Sequence, residues 1–493
     1  MQKNVDFKLN VQEYRDKVYA CFIGKNIGGT VGGPYEGKRE ILDVKGFTTE
    51  PGVPLPNDDL DLQLVWLFGV ERLGISAINA ATLGELWLSF IPAPWQEYGI
   101  CKANMRRGLI PPIAGDYQNT WKHSNGAWIR TEVWSCMAPG CPAIAAKYAV
   151  EDAKVDHGSG EGTYAAAFVA AMQSAAFVLR DLRACIELAL NCIPAASRMA
   201  KSIRLVLDSY DAGKEAMETR NLVQESNRDI GDGWFEAPSN VAYAVIGLLY
   251  GEGDFKKSML TAINCGDDTD CTASTVGATF GILGGTAGIP EDWRAYIGDE
   301  IVTISIDRSG ILRRTPSTCQ ELTDRIAAQA PHVLFECGGE TVLWDGATEI
   351  PDNVDELLKK PCGRIRGMSS VKPYSMHFDG AVLSADVILD GAPEIAPNGE
   401  RKVKIVLTNQ YDKFGRVFYY ANLRWWLPDG FSIEGDKKTV QISTNDYSHY
   451  NGVSTVEVTV RAGERVEAVN RIVLEVTLDG RILPLYIPIN FLS

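Results

Sequence analysis

The sequence lacks the patterns that mark several common classes of protein. None of its 11 cysteines forms a C-x-x-C pair, so a zinc ribbon is not expected, and thiols scattered along a chain of 493 residues are typical of a reducing compartment. The N-terminal stretch MQKNVDFKLNVQEYRDKVYA lacks the apolar core of a signal peptide, and no apolar run is long enough to cross a bilayer. We therefore expect a cytoplasmic protein with no membrane partner.

Basic residues are too few for a protein that binds a nucleic-acid backbone. The chain has 63 acidic and 48 basic residues, a formal net charge of −15, whereas phosphate contacts need clustered Lys and Arg. Neither a Walker motif nor a dinucleotide fingerprint is present. An anionic small molecule remains compatible, because a metal ion or a helix N-terminus can supply local positive potential. Nothing in the sequence indicates the oligomeric state.

The first part of the chain has the apolar period of helices. Residues 162–183 carry one continuous apolar stripe, and residues 59–73 carry another. Alanine and glycine are frequent on these stripes, and small residues let helices approach closely. We predict an all-α bundle over residues 1–345.

The last part of the chain alternates with the period of strands. The runs RKVKIVLTNQ and STVEVTVRAG are two examples, and Asp479–Gly480 is a hairpin turn signal between two more. These short strands predict a β-sandwich of immunoglobulin-like type over residues 370–493. Residues 346–369 are polar and contain two prolines, and we interpret them as a linker.

Two acidic clusters stand where helices are predicted to begin. One lies in PNDDLDLQLVWL, before an apolar periodic run, and the other lies in NCGDDTDCTAS, before a helix of small residues. Their side chains are Asn57, Asp58, Asp59 and Asp61 in the first cluster, and Asp267, Asp268 and Asp270 in the second.

Helix capping explains one or two of these carboxylates for each helix. It explains three aspartates within four positions poorly, because neighbouring carboxylates repel one another and each needs a partner. The two clusters could instead converge on one hard divalent cation, which takes oxygen ligands. Spacing alone leaves both interpretations open.

Five short motifs occur in order over roughly residues 15–295. They are the Gly-rich segment Gly24–Gly37, the segment Asn57-Asp58-Asp59-Leu60, the segment Ser124–Arg130 around Asn125-Gly126, the pair Asp156-His157, and the segment Gly266–Cys271. Together they resemble the motifs of the ADP-ribosylglycohydrolases, the family of the enzyme that removes ADP-ribose from dinitrogenase reductase. The resemblance implies an all-α fold, a small-molecule or ADP-ribosylated substrate, and a metal site, usually a magnesium pair, between the second and the last motif.

The resemblance also implies the ligands of that site. They are Asn57, Asp58, Asp59, Asp268 and Asp270, with one or two Mg²⁺ ions or another divalent cation, and with Asp267 outside the ligand set as a cap or a supporting group. Four positions depart from the family pattern: Gly29 replaces an aspartate, while Asn57, Leu60 and Cys271 replace hydroxyl residues. Sulfur suits magnesium badly, so these changes could alter the number of metals or the substrate.

The acidic clusters and the family resemblance together indicate candidate catalytic and substrate-binding residues. Hydrolysis at a ribose carbon needs a base for the attacking water, and the candidates are Asp59, Asp270 and Asp116. Candidate substrate ligands are Glu36, Asn125, His157, Trp234 and Phe235. Each has a structural alternative: Asp116 as a turn residue, Glu36 as a solvated loop carboxylate, His157 as a helix-start residue, and the two aromatics as core. Arg130 is interpreted as a structural partner of a carboxylate.

The sequence thus supports two classes of function. The first is a metal-dependent hydrolase of the ADP-ribosylglycohydrolase type, cleaving an ADP-ribosyl or related ribosyl or glycosyl linkage. The second is a catalytically degenerate protein that binds ADP-ribose or a carbohydrate, which the altered motif positions and the added domain favour.

Overall fold

The chain divides into two units in the computed structural model, which describes residues 7–231, 233–410, 419–443, 445–446 and 450–493. The first unit comprises Met1–Gly99 and Asn119–Ser370, and the second comprises Ile100–Gln118 and Val371–Ser493. The first unit is helical and the second is built on β-sheets, as the change of apolar period predicts. In the described residues, no helix combines the length and apolar character needed to span a bilayer.

The helices are numbered in chain order. The α-helices are α1 (Val11–Gly32), α2 (Asp58–Leu73), α3 (Ala80–Phe90), α4 (Gln96–Arg106), α5 (Ile113–Asp116), α6 (Glu132–Met137), α7 (Pro142–Asp156), α8 (Glu161–Ala175), α9 (Leu182–Ala189), α10 (Arg198–Asp211), α11 (Ala216–Asn227), α12 (Ala237–Tyr250), α13 (Phe255–Asn264), α14 (Thr269–Gly284), α15 (Glu291–Ile297), α16 (Cys319–Cys337) and α17 (Val354–Ser369). Short 3₁₀ helices span Gly33–Tyr35, Ile75–Ala77, Trp128–Arg130, Leu190–Cys192, Gly285–Gly288 and Gly310–Arg314.

The strands are numbered in the same way. They are β1 (Phe7–Asn10), β2 (Thr341–Trp344), β3 (Ser375–Asp379), β4 (Leu383–Leu389), β5 (Glu400–Asn409), β6 (Tyr419–Trp426), β7 (Ser432–Glu434), β8 (Thr439–Ile442), β9 (Asn445–Asp446), β10 (Tyr450–Asn451), β11 (Val453–Arg461), β12 (Val469–Leu478) and β13 (Leu485–Leu492). In the first unit, β1 and β2 form a short parallel pair.

Helices α1 and α14 pack against each other with almost no space between their backbones. A Cβ atom built on Gly24 would lie 2.1 Å from the carbonyl oxygen of Gly277, and one built on Gly32 would lie 2.3 Å from that of Thr269. Only glycine permits this approach. The glycine run of α1 is therefore a helix-packing surface, and it places the start of α14 beside the end of α1.

The second unit is a β-sandwich. One sheet has the strand order β3-β4-β5-β11-β7, the other has the order β13-β12-β6-β8, and the core contains alternate residues of both, such as Val403, Ile405, Ile472 and Leu474. The predicted hairpin at Asp479–Gly480 is present, since β12 and β13 pair in antiparallel fashion on either side of it.

Two segments differ from the sequence-based expectation. The stripe over residues 162–183 is not one helix: α8 ends at Ala175, and α9 begins at Leu182 after Asp181, whose carboxylate accepts the backbone N–H of Arg183 at 2.8 Å. The segment 346–369, expected as a linker, contains α17, because Leu358 and Cys362 lie on an apolar face that is buried.

Candidate metal centre

The two acidic clusters meet at the starts of α2 and α14. Asn57 precedes α2, and its Oδ1 accepts the backbone N–H of Asp59 at 2.8 Å, which makes it the N-cap. Gly29 of α1 lies against it, since a Cβ atom there would come within 2.0 Å of the Asn57 Nδ2. The start of α14 is tied to α1 by the Thr269 hydroxyl, which donates to the carbonyl of Gly32 at 2.8 Å.

Most of the predicted ligands face one cavity of ≈ 560 Å³, a volume within the range of about 300–1,000 Å³ typical of small-molecule sites. Carboxylate oxygens of Glu36, Asp268 and Asp270 lie within 4.8 Å of one another, and so do ligand atoms of Asp59, Asp270 and Cys271. The acidic residues that line the cavity are Glu36, Asp58, Glu97, Asp268 and Asp270, with Asn57 and Cys271 beside them. Asp59 is buried behind this lining.

Several carboxylate oxygens of this site lack hydrogen-bond partners among the described residues. Asp268 Oδ1 and Asp270 Oδ1 are buried and have no hydrogen-bond partner among the described residues. Burial and the charge of Asp268 raise the pKa of Asp270 well above its usual range. Partial desolvation and the carboxylates of Asp268 and Asp58 raise the pKa of Glu36 to about 7. An unpaired buried carboxylate is costly, and a cation is the partner that this set of oxygens fits.

Asp59 differs from the other acidic residues because a lysine lies beside it. The Lys25 Nζ is 3.5 Å from Asp59 Oδ2 and 3.1 Å from Glu132 Oε1, and all three side chains are fully buried. The Cys271 thiol donates to Asp59 Oδ1 at 3.4 Å. Burial raises the pKa of Asp59 to about 8 even though Lys25 opposes the shift. Sequence reasoning missed Lys25, whose only signal is a single charged residue in the otherwise uncharged second half of α1.

Asp61 and Asp267 have structural partners. Asp61 Oδ2 accepts the backbone N–H of Ile304 at 2.7 Å. The Asp267 carboxylate accepts the backbone N–H of Phe235 at 3.2 Å and the Asn240 amide at 2.9 Å. Of the two interpretations of Asp267, the helix cap is wrong and the supporting group agrees with its contacts, because its side chain bonds the loop before α12 and α12 itself. This contact holds Phe235 in a left-handed conformation, with φ of 55°.

The predicted substrate residues divide into two groups. Glu36, Asn125 and Phe235 line the cavity. Asn125 is tied at both ends: its Nδ2 donates to Asp268 Oδ2 at 2.6 Å, and its Oδ1 accepts the indole N–H of Trp128 at 3.0 Å. Trp234 is absent from the described lining, and the guanidinium of Arg39 lies 3.2 Å from its ring centre.

His157 and Asp116 are also absent from the described lining of the cavity. His157 is fully buried at the end of α7, with Nδ1 2.9 Å from Asp156 Oδ1 and Nε2 3.3 Å from Ser124 Oγ. Asp116 is the last residue of α5 and belongs to the second unit.

Arg130 has the structural role expected for it. Its guanidinium donates to Asp156 at 2.8 Å and to Asp152 at 2.9 Å, and every group in this cluster is buried. The cluster fixes the end of α7 and, through Asp156, the ring of His157.

The cavity wall also contains residues that sequence reasoning did not single out. Glu97, Tyr98 and Trp121 line it, and the Tyr98 hydroxyl donates to Asp58 Oδ2 at 3.0 Å. Glu97 Oε1 occupies the space that a Cβ atom on Gly126 would fill, at 2.2 Å. No local pattern marks these positions, because they lie far in sequence from the aspartates.

Comparisons with known proteins relate the chain to one family. No curated protein matches the chain. Among solved structures, a chain of an ADP-ribosylglycohydrolase-related protein complex shares 20% identity over 66% of this chain and 99% of its own, with a TM-score of 0.39. A FixG-related protein from Vibrio parahaemolyticus shares 16% identity over 23% of this chain and 98% of its own, with a TM-score of 0.19. With TM-scores below 0.5, neither likeness bears on fold or function. The model of the ADP-ribosylglycohydrolase family matches residues 10–330, and the chain therefore belongs to that family.

Proposed function

We propose that the protein is a metal-dependent hydrolase that cleaves an ADP-ribosyl or related ribosyl or glycosyl linkage. Its family supports a glycohydrolase-type function. The observation that carries the finer proposal is the pair of buried, unpartnered oxygens, Asp268 Oδ1 and Asp270 Oδ1, on the wall of the cavity. Buried polar groups are almost always paired, so this arrangement supports a bound cation.

The residues that would hold the cation are Glu36, Asp268 and Asp270, with Asp58 beside them on the cavity wall. Magnesium or another divalent ion bound there would polarise sugar oxygens and lower the pKa of a water. Asn57 is a weaker candidate ligand than the carboxylates, because its side-chain oxygen already accepts the Asp59 N–H. Asn125 is better explained as a positioning residue than as a substrate ligand, since both ends of its amide are engaged.

Asp270 is the general base that the geometry favours. It lines the cavity, whereas Asp59 is fully buried beside Lys25 and Asp116 lies in the second unit. A base must be within hydrogen-bond reach of the proton it accepts. Glu36, exposed at the mouth of the site, can accept hydrogen bonds from ribose hydroxyls.

Aromatic side chains support a sugar or base as the substrate. Trp95, Trp121 and Phe235 line the same cavity as the carboxylates. Flat aromatic faces stack on sugar rings and nucleobases, while the carboxylates bind hydroxyl groups.

Turnover of a substrate panel tests this proposal. Purified protein would be given N- and O-linked ADP-ribosyl conjugates, simple ribosides and glycosides, with Mg²⁺ or with a chelator, and the released sugar would be measured. We expect Mg²⁺-dependent release, and we expect Asp268→Asn to reduce it by more than the about 10–100-fold typical of changes around a metal ligand. Asp292→Asn, an exposed change on α15, is the control and should keep full activity. Absence of both metal binding and release would contradict the proposal.

A second candidate function is a binding protein without turnover. The observation that favours it is Cys271, which places a thiol against Asp59 where the family pattern has a hydroxyl residue. In that case ADP-ribose or a carbohydrate would bind in calorimetry with an affinity unchanged by Asp268→Asn, and no substrate would be cleaved.

We also propose a cytoplasmic location. All 11 cysteines are free, and ten of them are buried. Free thiols throughout a chain suit a reducing compartment, where disulfides are rare.

A further inference from the structure

Among the described residues, three groups of side chains could each hold a cation; Glu97, Asp156 and His157 form one of them, and the other two share a residue. One of these two is Glu36, Asp268 and Asp270, and the other is Asp59, Asp270 and Cys271. They share Asp270, so they are neighbours within one site. They differ in the groups that already surround them.

The group around Asp59 already contains a positive charge. The Lys25 ammonium lies 3.5 Å from Asp59 Oδ2 and is fully buried, and Glu132 holds it from the other side at 3.1 Å. The second oxygen of Asp59 accepts the Cys271 thiol at 3.4 Å. A divalent ion here would lie beside a buried ammonium group, and like charges repel strongly away from water. Its third ligand would be a sulfur, which hard cations avoid.

Glu132 is itself held in place by amides, so Lys25 cannot easily move away. The Gln63 amide donates to Glu132 Oε2 at 2.9 Å, and the Gln173 amide donates to Glu132 Oε1 at 3.2 Å. These residues come from α2, α6 and α8, while Lys25 comes from α1. The ammonium is thus fixed by four helices.

The group of Glu36, Asp268 and Asp270 differs from the group around Asp59 in the charges that surround it. Asp268 is 5% exposed, it lines the cavity, and its Oδ1 has no hydrogen-bond partner among the described residues. Asp270 Oδ1 is likewise buried and unpartnered. No lysine or arginine appears in the described lining of the cavity. Among the described residues, no positively charged side chain on the cavity wall balances this negative charge.

We propose that Lys25 is a built-in counter-cation for Asp59, so that the chain binds one divalent ion, at Asp268, Asp270 and Glu36, and none between Asp59 and Cys271. This inference rests on the metal site of the proposed function. The inference also explains why a thiol can lie beside Asp59. The Lys25 ammonium balances the charge of this carboxylate, and the Cys271 thiol donates a hydrogen bond to it.

Metal stoichiometry tests the inference without reference to activity. The full chain would be saturated with Mn²⁺, and the bound ions would be counted by equilibrium dialysis with elemental analysis. The electron paramagnetic resonance spectrum would show whether the ions are isolated or coupled. We expect one ion per chain with the spectrum of isolated Mn²⁺. Two ions with a coupled spectrum would overturn the inference and leave the proposed function standing, whereas absence of any bound ion would overturn both.

Removal of the lysine gives the second arm of the test. Lys25→Met keeps much of the side-chain volume but removes the charge, and we expect it to admit a second Mn²⁺ ion. The surface variant Lys256→Met is the control and should bind one ion, like the wild type. If Lys25→Met does not fold, the variant Lys25→Met/Glu132→Gln removes both buried charges and should still admit the second ion. A folded variant that binds only one ion would show that Lys25 does not exclude the second, and would overturn the inference.

Discussion

Glu97 is a carboxylate of the cavity wall that lies outside the two groups sharing Asp270 and is close to Asp156 and His157 instead. It is 5% exposed, and its Oε1 lies 4.0 Å from the Nε2 of His157. Burial raises the pKa of Glu97 to about 7, and His157 opposes the shift only in part. A carboxyl group in this state takes up a proton on folding at pH values between its unfolded and folded pKa values.

The sign of the resulting pH dependence follows from the two pKa values. The ordinary value is 4.5 and the folded value is about 7, so the contribution of Glu97 to stability is fully present below pH 4.5 and is lost as the pH rises through 7. We expect Glu97→Gln to match the wild type near pH 5 and to exceed its free energy of unfolding by up to about 3 kcal/mol at pH 8, in metal-free protein. Urea unfolding at several pH values measures this. Glu336→Gln, an exposed change on α16, should give the wild-type profile, and parallel profiles for Glu97→Gln and wild type would contradict the prediction.

At the scale of elements, the contact between α1 and α14 positions the site. A Cβ atom on Gly28 would lie 2.2 Å from the backbone nitrogen of Ser274, so the two helices would have to separate. Asp268 and Asp270 stand at the start of α14, and any such separation moves them. The glycines of α1 therefore act on the site through packing.

Replacement of Gly28 tests the effect of this contact. We expect Gly28→Ala to lower the free energy of unfolding by about 1–3 kcal/mol, the usual cost of overpacking, and to weaken Mg²⁺ binding in calorimetry. The matched control is Gly284→Ala at the end of α14, where a Cβ atom meets nothing within 4 Å. That variant should be as stable as the wild type or more stable, because alanine favours helix by up to about 1 kcal/mol. Equal stability of the two variants would contradict the role assigned to Gly28.

Local sequence signals predicted the elements that carry the candidate ligands but not their surroundings. The apolar period and the acidic starts of α2 and α14 are local, and both helices begin within the acidic clusters that were expected to precede them. The break between α8 and α9 was missed, because the apolar stripe continues through the six residues that connect them. Lys25 was also missed, because its partners Asp59 and Glu132 are distant in sequence and only the packed bundle brings them together.

At the scale of the whole molecule, the boundary between the units is not a single position in the chain. The change of apolar period near residue 370 predicted the sandwich, but residues 100–118 belong to the same unit. Leu109 and Ile113 lie in the sandwich core, and Pro112 pairs with Met376 at the edge of β3. The Asn490 amide of β13 also donates to the carbonyl of Gly108. The sequence of residues 100–118 has no alternating apolar pattern that would assign it to the β-sandwich. The segment contributes side chains to the sandwich core without forming a strand.

A truncated chain tests this organisation. The family match ends at residue 330, which predicts that a chain ending at Ser370 would fold on its own. We expect the opposite, because removal of residues 371–493 would expose Leu109, Ile113 and Tyr117, three buried members of the sandwich core. Exposed apolar clusters of this kind promote aggregation. Size-exclusion chromatography of the 1–370 chain should show aggregates, and the same chain with Leu109→Lys and Ile113→Lys should be largely monomeric. A monomeric 1–370 chain that binds Mn²⁺ like the full protein would show that the inserted segment does not depend on the sandwich.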